Sequence, residues 1–246
     1  MKLIINAEDL GISLGVNKGI FEGLKQGFIT SASLFMNGQY TDEAIKFIKE
    51  NNIKNVGVHL NLTYGKPILG EKVEKLTEPD GNFRYMCSMP FYAKYEDVVL
   101  ELDAQIQKFY QASITPSHLD FHHYFYSSNE VYTAYLELAK KYSLPVRSMT
   151  EKTKSMAQVN GIKTTDYFIE DFHGGYDISA EQLAQIANRY KNFSGTCELM
   201  TTPGYVDQFL ATQTNYLARE EELIALKNAF ESGVWNDVEL ISFLDL

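Results

Sequence analysis

The sequence predicts a single-domain α/β fold, a (β/α) barrel of the TIM-barrel type that is complete or distorted. Short apolar runs alternate with amphipathic helical segments along the whole chain, which gives about seven or eight predicted strands. Strands that alternate with helices in this way predict a parallel sheet. A length of 246 residues suits one large domain, and no repeat or linker divides the chain. An open doubly wound sheet is the alternative, but no glycine-rich phosphate-binding motif follows the first strand.

The N-terminal part of the chain supplies three predicted strands and two helices. The run Lys2–Asn6 is apolar and β-branched, as in a buried strand. Apolar residues at helical spacing follow over 14–26, and Gly27 ends that helix. The pattern then predicts a strand at 30–36, an amphipathic helix at 41–51 and a strand at 55–63.

Residues 64–94 are rich in Gly and Pro and show no periodic pattern. A loop of this length in a compact domain is usually functional, so we expect one domain over 1–246 with a lid at about 64–94. Residues 151–177 show no assignable pattern. For the rest we expect helices at 95–111, 128–142, 180–191 and 216–232, and strands within 117–124 and at 145–148, 195–200 and 238–243.

The composition argues against two classes of partner. The formal net charge is −10 and the isoelectric point is near 5.0, whereas nucleic acids and anionic membranes require basic patches. Cys87 and Cys197 match no zinc-ribbon, redox or disulfide pattern. No stretch approaches the ~20 apolar residues of a membrane span, and the apolar run at the N-terminus is too short for a signal peptide. We therefore expect a cytoplasmic protein with no nucleic-acid and no membrane partner.

Three of the five histidines lie in the octet Ser117–Tyr124 at the centre of the chain. On a strand, its apolar residues face one side, and His118, Asp120 and His122 face the other. Unpaired buried polar groups cost roughly 1–3 kcal/mol each, so this face requires a partner. A metal ion or a hydrogen-bonded catalytic cluster would supply it. A satisfied structural His–Asp pair is the alternative.

Two further groups of polar residues lie at or near the carboxyl ends of predicted strands. Glu8 and Asp9 follow the first strand, where their repulsion would raise the pKa of one carboxyl and a cation would relieve it. Helix capping by Asp9 is the alternative. His59 lies in the third strand, where a lone histidine is more often part of the core. Because Asn61 and Thr63 share its face, the pattern indicates the edge of a site.

In a barrel the functional residues lie at the carboxyl ends of the strands. Asp9, His59, His122 and the segment Thr201–Tyr205 are all predicted at such ends. One carboxylate and two imidazoles make a three-ligand site for a divalent metal that activates water and polarises a carbonyl. Zinc, iron, manganese or cobalt suit the nitrogen ligands better than magnesium does.

Other residues have supporting roles in this prediction. Glu8, beside the ligand Asp9, is placed to be a general base. His118 or Asp120 could orient a ligand, and Arg147 could point into the site.

Four segments of the chain contain most of the residues described above. They are Asn6–Gly11 (NAEDLG), Gly57–Thr63 (GVHLNLT), His118–His123 (HLDFHH) and Glu198–Tyr205 (ELMTTPGY). These segments resemble the successive motifs of the YdjC-like carbohydrate deacetylases, a family that includes chitooligosaccharide deacetylases. With smaller matches around Ser31, Arg147, Tyr216 and Arg219 the resemblance covers nearly the whole chain. The resemblance implies a distorted (β/α) barrel, one divalent metal ion (magnesium or zinc) and often a homodimer. It also implies hydrolysis of the N-acetyl group of an acetylated amino sugar or short oligosaccharide.

The same resemblance implies that Asp9, His59 and His122 are the metal ligands. Glu8 takes the place of the family's first aspartate, the general base, and is one methylene longer. Thr202 stands where the family motif has a histidine. The role of that histidine must therefore pass to another group, such as His173 or His118, or be lost. A later family histidine is Tyr124 in this chain.

Because of these departures, two alternatives stay beside a deacetylase. One is a homologue that binds metal and sugars but has lost deacetylation. The other is a related metal hydrolase that acts on an ester or phosphate ester bond.

Overall fold

The computed structural model of the protein describes residues 1–246, except Cys87, 124–127, Gly175 and the side chains of Pro90 and Phe91. Within these ranges seven strands form one sheet. They are β1 Lys2–Leu10, β2 Ser31–Leu34, β3 Val56–Leu60, β4 Leu119–Phe121, β5 Tyr167–Ile169, β6 Thr196–Thr201 and β7 Glu239–Leu240.

Helices connect these strands in an alternating pattern. The described helices are α1 Leu14–Gln26, α2 Thr41–Glu50, α3 Met89–Tyr92, α4 Tyr95–Gln111, α5 Asn129–Tyr142, α6 Glu151–Val159, α7 Ala180–Tyr190, α8 Leu210–Gln213 and α9 Arg219–Glu231, with 3-10 turns at Gly70–Leu76 and Phe243–Asp245. Local signals explain several boundaries. The Ser13 side chain accepts a hydrogen bond from Val16 N at the start of α1, and Gly27 ends that helix in the left-handed conformation.

The sheet is parallel throughout and has the order β4-β3-β2-β1-β6-β5, with β7 added beside the first residues of β1. Between β4 and β5 the ring is continued by single-residue bridges from Val146 to Leu119 and Thr164. Every residue of β1 except Lys2 is buried, as expected for the central strand of a parallel sheet. The predicted α/β barrel is therefore confirmed, in its distorted form.

The differences from the predicted elements lie in the shortest strands. The strand predicted at 145–148 is reduced to the bridge at Val146, and the strand predicted at 238–243 pairs only at Glu239 and Leu240. The segment without a pattern contains α6 and β5. A strand of two or three residues has too little sequence to show a period, so its existence depends on the neighbouring strand.

The loop at 64–94 is anchored to α4. Fully buried Glu101 accepts hydrogen bonds from Ile68 N at 2.9 Å and from Leu69 N at 3.0 Å. Its function as a lid stays a prediction. Among the described residues, no helix has the length and apolar character needed to cross a bilayer.

Candidate active site

The carboxyl ends of β1, β3 and β4 bring Asp9, His59 and His122 together. Asp9 Oδ1 lies 3.3 Å from His59 Nε2 and 3.2 Å from His122 Nδ1. One ligand atom from each side chain falls within 4.8 Å of the other two. The sequence therefore predicted the members of this cluster, and the strand register places them at one point.

The chain turns sharply at Asp9 to present its carboxylate. The register of β1 against β2 shifts between Ala7 and Leu10, and Asp9 has a φ of 66°, in the left-handed region. Aspartate tolerates this region better than most residues because its short side chain bonds locally, but the conformation still stores some strain. Strain at the end of a buried strand is typical of a functional position.

The residues of this cluster fit a divalent cation. Asp9 Oδ1 and His59 Nε2 are both buried and lack a hydrogen bond of acceptable geometry, although they face each other. Such orphaned buried atoms normally cost roughly 1–3 kcal/mol each unless something binds them. A carboxylate oxygen and two imidazole nitrogens form a donor set that zinc and similar metals accept, with further positions open.

Asp120 fixes the orientation of His59. Its Oδ1 lies 2.8 Å from His59 Nδ1, while Ser33 Oγ and Asn6 Nδ2 donate to Oδ2 at 2.7 and 3.0 Å. Burial by itself would lower the pKa of His59, but the charge and hydrogen bond of Asp120 raise it to about 10. The carboxylates thus hold a positive charge at this imidazole, and a bound cation would replace the proton on Nε2.

Arg219 holds the other oxygen of Asp9. Its NH2 lies 2.5 Å from Asp9 Oδ2, and its NH1 donates to Thr202 O at 3.1 Å. Burial alone would raise the pKa of Asp9, but the charge of Arg219 and the adjacent imidazoles of His122 and His59 hold that pKa well below the usual range. Sequence reasoning did not select Arg219 as a site residue, because it starts a surface helix 210 residues after Asp9.

Glu8 lies next to the cluster and is held by Arg147. The guanidinium contacts Glu8 through NH1, and it donates to Glu198 Oε1 through Nε at 2.8 Å and NH2 at 2.5 Å. Burial raises the pKa of Glu8 to about 7, against the lowering effect of Arg147. The sequence predicted that one carboxyl of the acidic pair has a raised pKa, and this carboxyl is Glu8. The main cause of the raised pKa is burial, and the charge of Asp9 adds to it.

His118 lies deeper in the barrel. It is fully buried, stacks on Phe243 with ring centroids 3.8 Å apart, and has Nε2 3.9 Å from Asp120 Oδ2. Gly57 makes this position possible, since a Cβ there would lie 2.4 Å from His118 Nδ1. His118 therefore supports Asp120 from behind and does not reach the open end of the barrel.

Thr202 belongs to a second cluster on the β6 side, which Arg219 joins to Asp9. Buried Glu222 accepts hydrogen bonds from Thr202 N at 2.6 Å and from Thr202 Oγ1 at 2.9 Å, and also from Tyr216 OH. His173 Nδ1 lies 3.1 Å from Thr202 Oγ1. Glu222 was not predicted. Glu222 is the last of three successive glutamates in α9, and nothing in the sequence distinguishes it as the one that faces inward.

A cleft of about 590 Å³ opens beside the cluster of Asp9, His59 and His122. Tyr64 lines this cleft, and its ring centroid lies 6.2 Å from that of His122. Amide side chains and a second aromatic ring lie around it, from Asn37, Asn82, Phe209 and Gln213. Flat rings and amides of this kind are suited to the apolar faces and hydroxyl groups of sugars.

The chain matches the model of the YdjC-like protein family over residues 2–231. A carbohydrate deacetylase of Clostridium beijerinckii is 35% identical over 249 residues, with 100% of both chains covered. A carbohydrate deacetylase of Thermoanaerobacter pseudethanolicus is 36% identical, covering 98% of this chain and 93% of its own.

A solved structure has the same fold over the whole chain. A protein from Enterococcus faecalis, described as a candidate cellobiose-phosphate cleavage protein, superposes with a TM-score of 0.90 at 30% identity, covering 99% of this chain and 98% of its own. Fold, motifs and relatives agree over the full length. The chain therefore belongs to the YdjC-like protein family.

Proposed function

We propose that the protein is a metal-dependent hydrolase that removes the N-acetyl group from an acetylated amino sugar or short oligosaccharide. The observation that carries the proposal is the convergence of Asp9, His59 and His122, with Glu8 beside them, at the open end of the barrel. Relatives named carbohydrate deacetylases over the full length support the choice of reaction.

A divalent metal held by Asp9, His59 and His122 would polarise the acetamide carbonyl and make water a better nucleophile. Glu8 accepts the proton of the attacking water, since its pKa of about 7 lets it gain and lose a proton near neutral pH. Arg147 keeps the Glu8 carboxylate in place. Asp120 and Arg219 fix the rotamers of His59 and Asp9, so the ligand atoms are positioned before substrate arrives.

The cleft beside the site would bind the sugar. Tyr64 offers a ring face close to His122, and Asn37 and Gln213 offer polar groups farther out. A cleft of about 590 Å³ accommodates more than one sugar ring, which fits a short oligosaccharide. The homodimer, the cytoplasmic location and the choice between zinc and magnesium belong to the same proposal. Sedimentation of the purified protein tests for the homodimer, and metal analysis distinguishes zinc from magnesium.

The test measures metal content and acetate release on the same samples. Wild type loaded with zinc or magnesium should release acetate from N-acetylglucosamine oligomers. We expect His122→Ala to lose metal and more than about 100-fold in kcat/KM, since even changes behind a ligand cost about 10–100-fold. Glu8→Gln should keep its metal and lose about 10²–10⁴-fold in kcat.

Glu8→Asp is the matched control, because it keeps a carboxylate and shortens it by one methylene. It should retain metal and much more activity than Glu8→Gln. Metal-loaded wild type that releases no acetate across a panel of acetylated sugars would contradict the proposal. Sugar binding by calorimetry without turnover would then favour a binding protein, and hydrolysis of sugar esters or phosphates would favour another hydrolase. The phosphate case is included because the name of the Enterococcus relative refers to a phosphorylated sugar.

A further inference from the structure

We propose that His173 is the catalytic acid that protonates the leaving nitrogen of the substrate. Hydrolysis of an acetamide releases an amine, which must gain a proton as the C–N bond breaks. Glu8 takes a proton from water, so a second group has to supply this one. The inference rests on the proposed deacetylase function and adds a residue to it.

His173 stands over the open end of the barrel on the β6 side. It lies in the segment between β5 and α7, and its Nδ1 is 3.1 Å from Thr202 Oγ1 and 3.4 Å from Glu222 Oε1. Thr202 follows β6, whose last residue, Thr201, pairs with Ala7 of β1. The imidazole is therefore at the same end of the sheet as Glu8 and Asp9.

The hydrogen bonds fix which nitrogen carries the exchangeable proton. The Thr202 hydroxyl donates to Glu222 Oε1 at 2.9 Å, so its lone pairs are free to accept from His173 Nδ1–H. Glu222 also accepts from Thr202 N and Tyr216 OH, which fixes the carboxylate. With Nδ1 as the donor to Thr202, Nε2 on the far side of the ring is the nitrogen that gains and loses a proton.

Glu222, Thr202 and His173 differ in their exposure to solvent, and this difference indicates which of them can contact a substrate. Glu222 is fully buried and Thr202 is 4% exposed, whereas one third of the His173 side chain is exposed. The two buried residues hold the imidazole, and the imidazole itself is open to solvent. Two further histidines lie outside the proposed ligand set. His118 is fully buried beneath Asp120, and His123 lies on the β3–β4 side, with Nδ1 2.9 Å from Thr63 Oγ1.

The surrounding charges favour the protonated imidazole. Burial would lower the pKa of His173 and the charge of Arg219 acts in the same direction, but the hydrogen bond and charge of Glu222 and the charge of Glu8 raise it above its usual value. Tyr216 packs on the ring with centroids 4.3 Å apart, and its hydroxyl donates a hydrogen bond to Glu222. These contacts shift His173 toward its protonated form, the form that an acid needs.

Hydrolysis of the acetamide uses one water molecule and two proton transfers. The water oxygen forms a bond to the carbonyl carbon and passes a proton to Glu8. The C–N bond breaks, its electron pair stays on nitrogen, and the proton on His173 Nε2 goes to that nitrogen. The second proton of the water stays on the new carboxyl group, so acetic acid and the free amine leave, and the acid ionises to acetate in solution. The proton on Glu8 passes to His173 directly or through solvent, which restores both residues.

The experiment compares an amide with an ester whose leaving group needs no proton. His173→Asn keeps a donor toward Thr202 near the position of Nδ1, and His173→Gln places an amide nitrogen near that of Nε2. In both we expect kcat for N-acetylglucosamine oligomers to fall about 10²–10⁴-fold, with metal content unchanged. Hydrolysis of p-nitrophenyl acetate should change far less, because p-nitrophenolate departs without protonation.

The pH profile gives a second, independent readout. In wild type, kcat/KM on the amide should fall as pH rises through the pKa of His173, since the acid form is lost. That basic limb should be missing in His173→Asn. Wild-type amide turnover in both variants, or equal losses on amide and ester, would overturn the role of His173 and leave the proposed function standing. Failure of metal-loaded wild type to deacetylate any sugar would overturn the proposed function and this inference with it.

Discussion

The two sides of the open end of this barrel are built in different ways. On the β3–β4 side, His59 comes from a strand and is fixed by Asp120 of the neighbouring strand, directly across the ladder. On the β6 side, Thr202 is held by Glu222 from α9, and His173 comes from the segment between β5 and α7.

This difference shows which parts of the site can change independently. Strand register fixes His59 against Asp120, so a shift of either would turn its side chain to the other face of the sheet. Residues supplied by loops and a helix face can exchange roles, provided that they meet at the same point.

Asp120→Asn should weaken the β3–β4 side of the site more than any change on the β6 side or in the loop at 64–94. One amide oxygen cannot accept hydrogen bonds at both former carboxylate positions, from His59 on one side and from Ser33 and Asn6 on the other. We expect the affinity for zinc to fall about 10–100-fold, measured by calorimetric titration.

Ser33→Ala is the control for that change. It removes one donor to Asp120 Oδ2 and a 3.1 Å contact with His59 Nδ1, but it leaves the 2.8 Å contact between Asp120 Oδ1 and His59 Nδ1. It should lose much less zinc affinity. Equal losses in the two variants would mean that the site responds to any change in packing and that Asp120 does not orient His59.

Thr202→Val tests the β6 side with a side chain of similar shape. Buried Glu222 loses a donor, which should lower the free energy of unfolding by about 1–3 kcal/mol. Loss of the acceptor for His173 should lower kcat on the amide substrate by roughly tenfold, equivalent to about 1.4 kcal/mol of activation energy, with metal content unchanged. Chemical denaturation and steady-state kinetics measure the two effects.

Thr202→Ser keeps the hydroxyl and should stay close to wild type in both measurements. If Thr202→Val instead loses metal, the two sides of the site are coupled more tightly than their separate hydrogen bonds indicate.

Glu101→Gln should have the smallest effect on catalysis, because it acts on the loop at 64–94 and contacts no proposed catalytic residue. Ile68 N and Leu69 N donate to different oxygens of Glu101, and glutamine keeps only one of these two acceptors, so the loop loses about 1–3 kcal/mol of local stability. Hydrogen exchange at 68–69 should become faster. Exposed Glu96 in the same helix supplies the control variant Glu96→Gln, which should leave that exchange unchanged.

Much of the fold and of the cluster of Asp9, His59 and His122 was predictable because local patterns specify them. The 3.6-residue period gave α1 and α4 with the bounds that the structure shows, 14–26 and 95–111. The two-residue period in β4 placed His122 and Asp120 on one face. The strands at 145–148 and 238–243 were overestimated, because pairing in such short segments depends on the neighbouring strand.

The sequence by itself determined the barrel class, the positions of Asp9, His59 and His122 at strand ends, and the acidic pair that includes Glu8. Only the tertiary structure brought Arg219 to Asp9 across 210 residues, and Glu222 and His173 to Thr202. The physical reason is that strand alternation repeats every two residues and is visible in a short segment. Contacts from loops and from the inner face of α9 depend instead on how the elements pack in three dimensions.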